Sequence, residues 1–245
     1  MAPSTSVRQK SIAERIAGIR WYHSIALGDG VVTPGIFDHT PFLSKHPLPA
    51  RMDGLRVLDV GTFDGFWAFE FEKRGAAEVV ALDIGRRRQL DLQPRLRNHL
   101  TEEELDEEFG LGFRTASEIL GSKVRREVLS VYDLSPERLG TFDIVNVGSI
   151  LLHLLNPMRA LDNVRSVVGG HAVIAECYSP RIPFKLLRYL GGVNHTAWWS
   201  FSVGCLHQMI KDSGFENVEL VAKYGLPHKE LKRKIYHATF RADPR

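Results

Sequence analysis

Between Arg56 and Glu176 the chain alternates short apolar runs with stretches of helical spacing, and most runs end in glycine or an acid. We predict strands from Arg56 to Val60, Glu78 to Asp83, Glu127 to Val131, Phe142 to Val147 and His171 to Glu176, with two more near Val218–Ala222 and Lys234–Phe240. Strands that alternate with helices indicate βαβ units and a parallel sheet. The pattern therefore predicts an α/β protein.

The segments around this core are less regular. From Ser11 to about Trp21, apolar residues recur at helical spacing and predict a helix. Leu27 to Gly35 holds several glycines and a proline, so we expect no regular element there. Residues 85–125 form a long insertion with an acidic run at 101–108. Because charge runs usually stay in water, we interpret this run as a solvated helix face or mobile surface.

Length and composition limit the domain organisation. A chain of 245 residues with 44% hydrophobic content suits one large domain with a small appendage. We assign 1–50 to an N-terminal helix and lid segment, and 51–245 to a ligand-binding domain with an aromatic-rich insertion near 178–201. The apolar runs are too short to span a bilayer, and the first residues lack an apolar signal core. We expect a cytoplasmic protein with no membrane partner and with reduced cysteines.

One strand-turn-helix segment carries the candidate chemistry. Asp59-Val60-Gly61-Thr62-Phe63-Asp64-Gly65 follows the first central strand. Gly61 lets a ligand approach the backbone, and Asp64 and Gly65 begin a helix whose free N–H groups face that ligand. Thr62 lies in the same turn. This arrangement is typical of a nucleotide site at the carboxyl ends of parallel strands.

A second acid strengthens this interpretation. Asp83 ends the next strand about twenty residues later, where a carboxylate accepts hydrogen bonds from ribose hydroxyls. The loop lacks the G-x-G-x-x-G fingerprint of dinucleotide sites. Asp59 would also repel a pyrophosphate, whereas it suits the amino group of S-adenosylmethionine (SAM).

Later strand ends supply further candidates. Tyr132 and Asp133 follow the third strand, where an aromatic ring can pack on adenine and a carboxylate can accept from its amino group. Gly148 ends the fourth strand and is expected near the sulfonium. His153 is interpreted as a helix-start histidine that packs locally.

The loop D-x-G-x-x-x-G with an acid after the second strand is the pattern of class I methyltransferases. This resemblance implies a Rossmann-like fold with a mostly parallel seven-stranded sheet, helices on both faces, and SAM as cofactor. Residues 21–240 resemble more specifically the bacterial tRNA wobble-uridine (5-oxyacetyl) carboxymethyltransferases. The matching pieces are Asp59–Gly65, Asp83, Tyr132-Asp133, Phe142-Asp143, Leu152-His153, Pro157 and the tail from Lys232 to Arg241. The resemblance also places Ile84 in the cofactor pocket.

One departure from that family bears on the cofactor. The tRNA enzymes use carboxy-SAM and recognise its extra carboxylate partly through a tyrosine just before the matching histidine. Leu152 stands at that position and cannot donate a hydrogen bond. We therefore expect ordinary SAM and a small-molecule acceptor.

Two loops are candidates for the acceptor side: Trp21–Phe37 and Tyr178–Phe201. His23 and His195 lie in these loops beside aromatic residues, and are the candidate general bases. The aromatic insertion equally suits a hydrophobic cover or a homodimer contact. No closely spaced set of His, Asp and Glu indicates a metal site.

Two other functions stay open on the sequence alone. Lysines and arginines near the end of the chain can form a rim for tRNA phosphates, although a net charge of +3 is far below that of dedicated nucleic-acid binders. The motif also suits a non-catalytic protein that binds SAM.

Overall fold

A computed structural model describes residues 11–193 and 196–244. Their strands are β1 (Ala26–Gly28), β2 (Val31–Val32), β3 (Arg56–Val60), β4 (Glu78–Asp83), β5 (Arg125–Val128), β6 (Phe142–Gly148), β7 (Val168–Cys177), β8 (Leu187–Tyr189), β9 (Trp199–Phe201), β10 (Phe215–His228) and β11 (Arg233–Pro244). Their α-helices are α1 (Ile12–Ile16), α2 (Phe66–Lys73), α3 (Pro94–Arg97), α4 (Glu102–Leu105), α5 (Leu111–Leu120), α6 (Pro136–Leu139), α7 (Pro157–Ser166) and α8 (Val203–Asp212). Short 3₁₀ helices cover Thr40–Lys45, Arg87–Gln89, Val131–Asp133 and Leu151–His153.

The central sheet has seven strands in the order β10-β11-β7-β6-β3-β4-β5. Strands β3 to β7 pair in parallel, whereas β11 runs antiparallel to both β7 and β10. The predicted mostly parallel sheet is thereby confirmed. Because β3 and β6 are central neighbours, the loops after them meet at one edge of the sheet, the expected place for a ligand.

Both faces of the sheet are buried. Leu58, Val60 and Val145 point into a core built with α7 and α8. Val57 and Ile144 point to the opposite face, where α2 and α5 pack. A strand that is covered on both sides reads as a continuous apolar run, which is why the central strands are visible in the sequence.

Some boundaries differ from the predicted ones. The third strand ends at Val128, and Val131 already lies in the 3₁₀ helix that follows. The two tail strands are much longer than expected, because β10 and β11 form a hairpin that continues past the sheet. The expectation of no regular element between Leu27 and Gly35 was wrong. Asp29 and Gly30 adopt positive φ, which lets β1 and β2 close a tight hairpin.

The acidic run at 101–108 is partly paired rather than simply solvated. Arg86, Arg87 and Arg88 leave β4 and turn toward it. Arg88 contacts Asp106 at 2.6 Å and Glu102 at 3.2 Å, and Arg87 pairs with Glu107. These exposed pairs contribute little individually, but together they hold the insertion beside the end of β4.

The insertion after β7 forms a small hairpin of β8 and β9. Its tryptophans are used for packing: Trp198 Nε1 donates to the carbonyl of Asp91 at 2.6 Å, and Trp199 Nε1 to that of Leu154 at 2.9 Å. Phe184 is 86% exposed on its outer surface. Among the described residues, no helix is long and apolar enough to cross a membrane.

We expect Phe240→Ala to lower the free energy of unfolding by about 3–5 kcal/mol, because a fully buried ring would leave a cavity between β11 and the α7–α8 layer. Chemical denaturation with matched m-values measures this change. Leu231→Ala is the control, since Leu231 is 54% exposed and should alter stability by less than about 0.5 kcal/mol. A similar small effect for both variants would contradict this view of the core.

Candidate active site

The glycine loop after β3 is shaped by its hydrogen bonds and by two glycines. The amides of Gly61 and Thr62 donate to the carbonyl of Leu82 at 2.9 and 3.1 Å, so the loop is held against β4. Gly61 has φ of 75° and Gly65 has φ of 95°. A Cβ on Gly65 would lie 2.5 Å from the ring of Phe69, so this glycine is required for packing at the start of α2.

Asp59 is a buried carboxylate directly before this loop. It is 2% exposed, and its Oδ1 accepts from Nδ2 of Asn146 at 2.8 Å. The side chain of Thr62 lies beside it, and a hydrogen bond from the Thr62 hydroxyl favours the ionised carboxylate. Burial raises the pKa of Asp59 to about 6, so the group is largely ionised at neutral pH. A buried anion with a free lone pair favours a cationic or N–H ligand group.

Asp83 closes the other side of the loop. Its Oδ2 accepts from the amide of Phe63 at 2.7 Å, and its Oδ1 from the amide of Ile84 at 2.8 Å. Burial raises its pKa. Each oxygen keeps a second lone pair for a hydroxyl. The guanidinium of Arg126 donates to the carbonyl of Ile84 at 2.8 Å and holds the backbone after β4 in place.

Two residues other than glycine adopt a left-handed backbone conformation at the carboxyl edge of the sheet. Phe63 follows β3 with φ of 52°, and Ser149 follows β6 with φ of 49°. Such conformations cost energy and concentrate at functional sites. Next to Ser149, a Cβ on Gly148 would lie 3.7 Å from Nε1 of Trp67. Trp67 therefore lies beside the end of β6.

Asp64 makes contacts that the sequence did not predict, and its contact with the cofactor stays a prediction. Its Oδ2 accepts from the amides of Tyr22 and His23 at 2.8 and 2.9 Å, and its Oδ1 pairs with Nδ1 of His23. These bonds fasten residues 21–46, hereafter the covering segment, to the glycine loop. Because Asp64 is 2% exposed, its charge is fully engaged with that segment.

The predicted bases are placed as follows. His23 is 6% exposed, bonded to Asp64, and stacked on Phe66 at 5.6 Å between ring centroids. His195 lies outside the described residues. A role of either histidine as base stays a prediction.

The predicted adenine residues follow β5 as expected along the chain. The hydroxyl of Tyr132 donates to Asp91 at 2.5 Å and accepts from the amide of Asn156 at 3.0 Å. The guanidinium of Arg159 lies 5.3 Å from its ring centroid. Asp133 is exposed at the end of the same 3₁₀ helix. Contacts of these residues with adenine stay a prediction.

Glu176 fixes the loop after β6 from below. It is 1% exposed and accepts from the amides of Leu151 and Cys177 at 2.7 and 2.6 Å. Burial raises its pKa to about 8 in spite of these bonds. The sequence offered no sign of this role, because Leu151 comes from a separate loop 25 residues earlier.

The structure also assembles a group of polar residues that the sequence did not single out. They lie on the face of the sheet beneath the covering segment, where all but half-buried Cys177 are buried, and we name them the imidazole–phenol cluster: His39, His46, Cys177, Tyr224 and His237. They come from the covering segment and from β7, β10 and β11, so no local motif reveals them. Trp67 joins this cluster to the cofactor side, since its ring lies 4.1 Å from His46 and 5.4 Å from His39.

Comparison with known proteins agrees with this geometry. Residues 35–220 match the family model described as "Methyltransferase domain". The chain belongs to this methyltransferase family. It is a SAM-dependent methyltransferase, and the predicted enzyme class and cofactor are confirmed. A search of curated proteins found no match.

Solved structures show the same fold at low identity. The N-terminal domain of EvdMO1, described with S-adenosylhomocysteine and D-fucose, is 15% identical, with 95% of this chain and 94% of that chain covered and a TM-score of 0.59. A SAM-dependent methyltransferase from Mesorhizobium loti is 17% identical, with 83% and 97% covered and a TM-score of 0.54. The 1,6-didemethyltoxoflavin-N1-methyltransferase of Burkholderia thailandensis is 16% identical, with 79% and 72% covered and a TM-score of 0.53.

We expect Asp64→Ala to release the covering segment, because two backbone amides and one imidazole lose their acceptor. Amide hydrogen exchange at Tyr22 and His23 should quicken by at least about tenfold. Asp162→Ala, at an exposed site on α7, is the matched control and should leave this exchange unchanged. Unchanged protection in the Asp64 variant would show that other contacts hold the segment.

Proposed function

We propose that this methyltransferase transfers the methyl group of SAM to an O, N or C nucleophile of a small-molecule acceptor. The observation that carries this proposal is the covering segment, which crosses the carboxyl edge of the sheet and is fastened to the cofactor loop by Asp64. A covering segment over the methyl-donor side suits a small acceptor, because such a molecule can be enclosed beneath it. A long polynucleotide fits less well beneath such a cover.

The residues present fit SAM. The buried carboxylate of Asp59 and the hydroxyl oxygen of Thr62 each keep a lone pair that matches an ammonium group beside Gly61. Asp83 has lone pairs left for the two ribose hydroxyls. Ile84 would line the pocket with its backbone, and Gly148 would let the ligand approach the end of β6 closely. Tyr132 and Asp133 would lie toward the adenine. When bound, SAM supplies an electrophilic methyl group on a sulfonium.

The protein's own part in the reaction is alignment and exclusion of water. Hydrogen bonds hold the strand ends that would frame the methyl group: Glu176 fixes the loop after β6, and Leu82 fixes the loop after β3. Such positioning contributes much of the rate of a transfer between two bound groups. His23 and His195 remain the proposed bases for a hydroxyl of high pKa.

The solved structures that share the fold support a small acceptor only by analogy. They include the 1,6-didemethyltoxoflavin-N1-methyltransferase with bound 1,6-didemethyltoxoflavin and a magnesium protoporphyrin IX methyltransferase. The residues near 178–201 are proposed as the outer wall of the acceptor side, and exposed Phe184 and Val193 make this hairpin the proposed contact of a homodimer. We also propose a cytoplasmic location.

The alternative function is modification of a tRNA wobble uridine with SAM or carboxy-SAM. The observation in its favour is the basic turn between β10 and β11, which holds Lys229, Lys232, Arg233 and Lys234. Lys229 is partly committed, because its Nζ donates to Oγ of Ser24 at 2.7 Å. Leu152 offers nothing to the extra carboxylate of carboxy-SAM.

Transfer from SAM with a labelled methyl group distinguishes these functions. We expect label in a dialysable small-molecule extract and none in purified total tRNA. Label in tRNA would favour the alternative, and so would tighter calorimetric binding of carboxy-SAM than of SAM. Tight SAM binding with no transfer to either pool would indicate a non-catalytic SAM-binding protein.

We expect Asp83→Ala to weaken SAM binding by at least about tenfold, because two hydroxyl acceptors are lost and the amides of Phe63 and Ile84 are left unpaired. Isothermal calorimetry measures this. Asp212→Ala, at an exposed position near the end of α8, controls for loss of a carboxylate. Equal affinity in both variants would refute the ribose assignment.

The affinity for SAM should fall as the pH drops through about 6, where Asp59 takes up a proton in the free enzyme. The ammonium of SAM prefers the ionised carboxylate, so the dissociation constant should rise by up to about tenfold for each pH unit below this pKa. Asp59→Asn cannot ionise and should bind weakly with a flatter pH profile. Parallel profiles for variant and wild type would place the ammonium elsewhere.

A further inference from the structure

The imidazole–phenol cluster forms a row of polar side chains that runs from the end of β6 across β7, β11 and β10. Oγ of Ser149 lies 3.7 Å from Sγ of Cys177, which lies 3.3 Å from Nε2 of His237. The ring of His237 stacks on Tyr224 at 5.5 Å. The hydroxyl of Tyr224 then lies 3.0 Å from Nε2 of His46. The row therefore begins beside Gly148 and runs away from the cofactor loop beneath the covering segment.

The hydrogen bonds determine how His237 is protonated. Its Nδ1 lies 3.1 Å from the carbonyl of Ile235, which can only accept, so Nδ1 carries the proton. Nε2 therefore holds a lone pair and faces the sulfur of Cys177 at 3.3 Å. The row is formed by neutral groups only.

Every titratable member of the cluster is held in its uncharged form. Burial lowers the pKa of His237 to about 4 and of His46 to about 3, and lowers that of His39 as well. Burial raises the pKa of Cys177 and Tyr224. Among the charged groups nearby, Arg74 pairs with Glu70 at 2.9 Å and Asp64 with His23, whereas exposed Lys229 donates only to the neutral hydroxyl of Ser24. Burial raises the pKa of Glu176, next to Cys177, to about 8, so that this carboxyl is largely uncharged at neutral pH.

The cluster nonetheless has unused hydrogen-bonding capacity. Nδ1 of His39 and Nδ1 of His46 are buried without a hydrogen-bond partner among the described residues. Unpaired buried polar atoms cost free energy, so a ligand that pairs with them gains affinity. A metal ion does not explain them, because no three potential ligands converge in the described part of the chain.

We propose that the acceptor lies beneath the covering segment against the imidazole–phenol cluster, and that it is an uncharged molecule bearing a hydroxyl or ring N–H group. The five described members of the cluster are uncharged, so an anionic acceptor would meet no cation within it and a cationic acceptor no carboxylate. Imidazole and phenol groups, by contrast, donate to and accept from neutral polar groups. Phe37, Phe66 and Trp67 around His39 supply flat apolar walls for a planar ring. This inference rests on the proposed methyl transfer.

The test divides a small-molecule extract of the encoding organism by ion exchange into anionic, cationic and uncharged fractions. Each fraction is incubated with the full chain and with SAM that carries a labelled methyl group. We expect label in the uncharged fraction. Label in a charged fraction would overturn this inference and leave the proposed function intact. No label in any fraction, with SAM bound, would refute methyl transfer itself and this inference with it.

Variants then test the location of the site on the uncharged acceptor fraction. Tyr224→Phe removes one hydroxyl, and His39→Phe keeps an aromatic ring among its aromatic neighbours. Each should lower the transfer rate by at least about tenfold at limiting acceptor, while calorimetry shows unchanged SAM affinity. His207→Phe is the matched control, because His207 packs on Phe240 at the opposite face of the sheet. Rates equal to wild type in both cluster variants would place the acceptor elsewhere.

Discussion

The carboxylate of Asp64 connects the two parts of the active site. One buried anion accepts two backbone amides and an imidazole from the covering segment, and it belongs to the loop that turns from β3 into α2. Because burial makes an unpaired charge very costly, the segment and the loop stabilise each other's positions. The covering segment, above the proposed acceptor side, is therefore attached directly to the loop after β3, where the methyl donor is proposed to bind.

Beneath the covering segment, charged and uncharged polar side chains lie on different sides. Asp59 and Asp83, on the cofactor side, are carboxylates held by amide donors at the ends of central strands. A few ångströms beyond Trp67, the polar side chains are neutral imidazole, phenol and thiol groups. A cationic methyl donor would match the carboxylates, and an uncharged acceptor would match the neutral groups. This separation of charged and neutral side chains would also orient the two molecules relative to each other.

Much of this arrangement could be predicted, where the signal is local. The central strands are buried on both faces and appear as apolar runs, and the turn Asp59–Gly65 with Asp83 lies within 25 residues. Local patterns could not show that Asp64 would bind the covering segment, because its partners lie some 40 residues earlier. They could not show that His39, Tyr224 and His237 would meet either, since only the antiparallel return of β11 brings these residues together. The hairpin of β1 and β2 was missed because positive φ at Asp29 turns apparent breakers into a tight turn.

The arginine run after β4 makes one edge of the cofactor site sensitive to ionic strength. Arg86, Arg87 and Arg88 follow Asp83 almost at once and hold the insertion through exposed pairs with acidic residues. Mobile ions screen such pairs, whereas the buried bonds of Asp59, Asp64 and Glu176 are shielded from them. Salt would therefore loosen the insertion beside Asp83 first, and leave the loop after β3 and the covering segment in place.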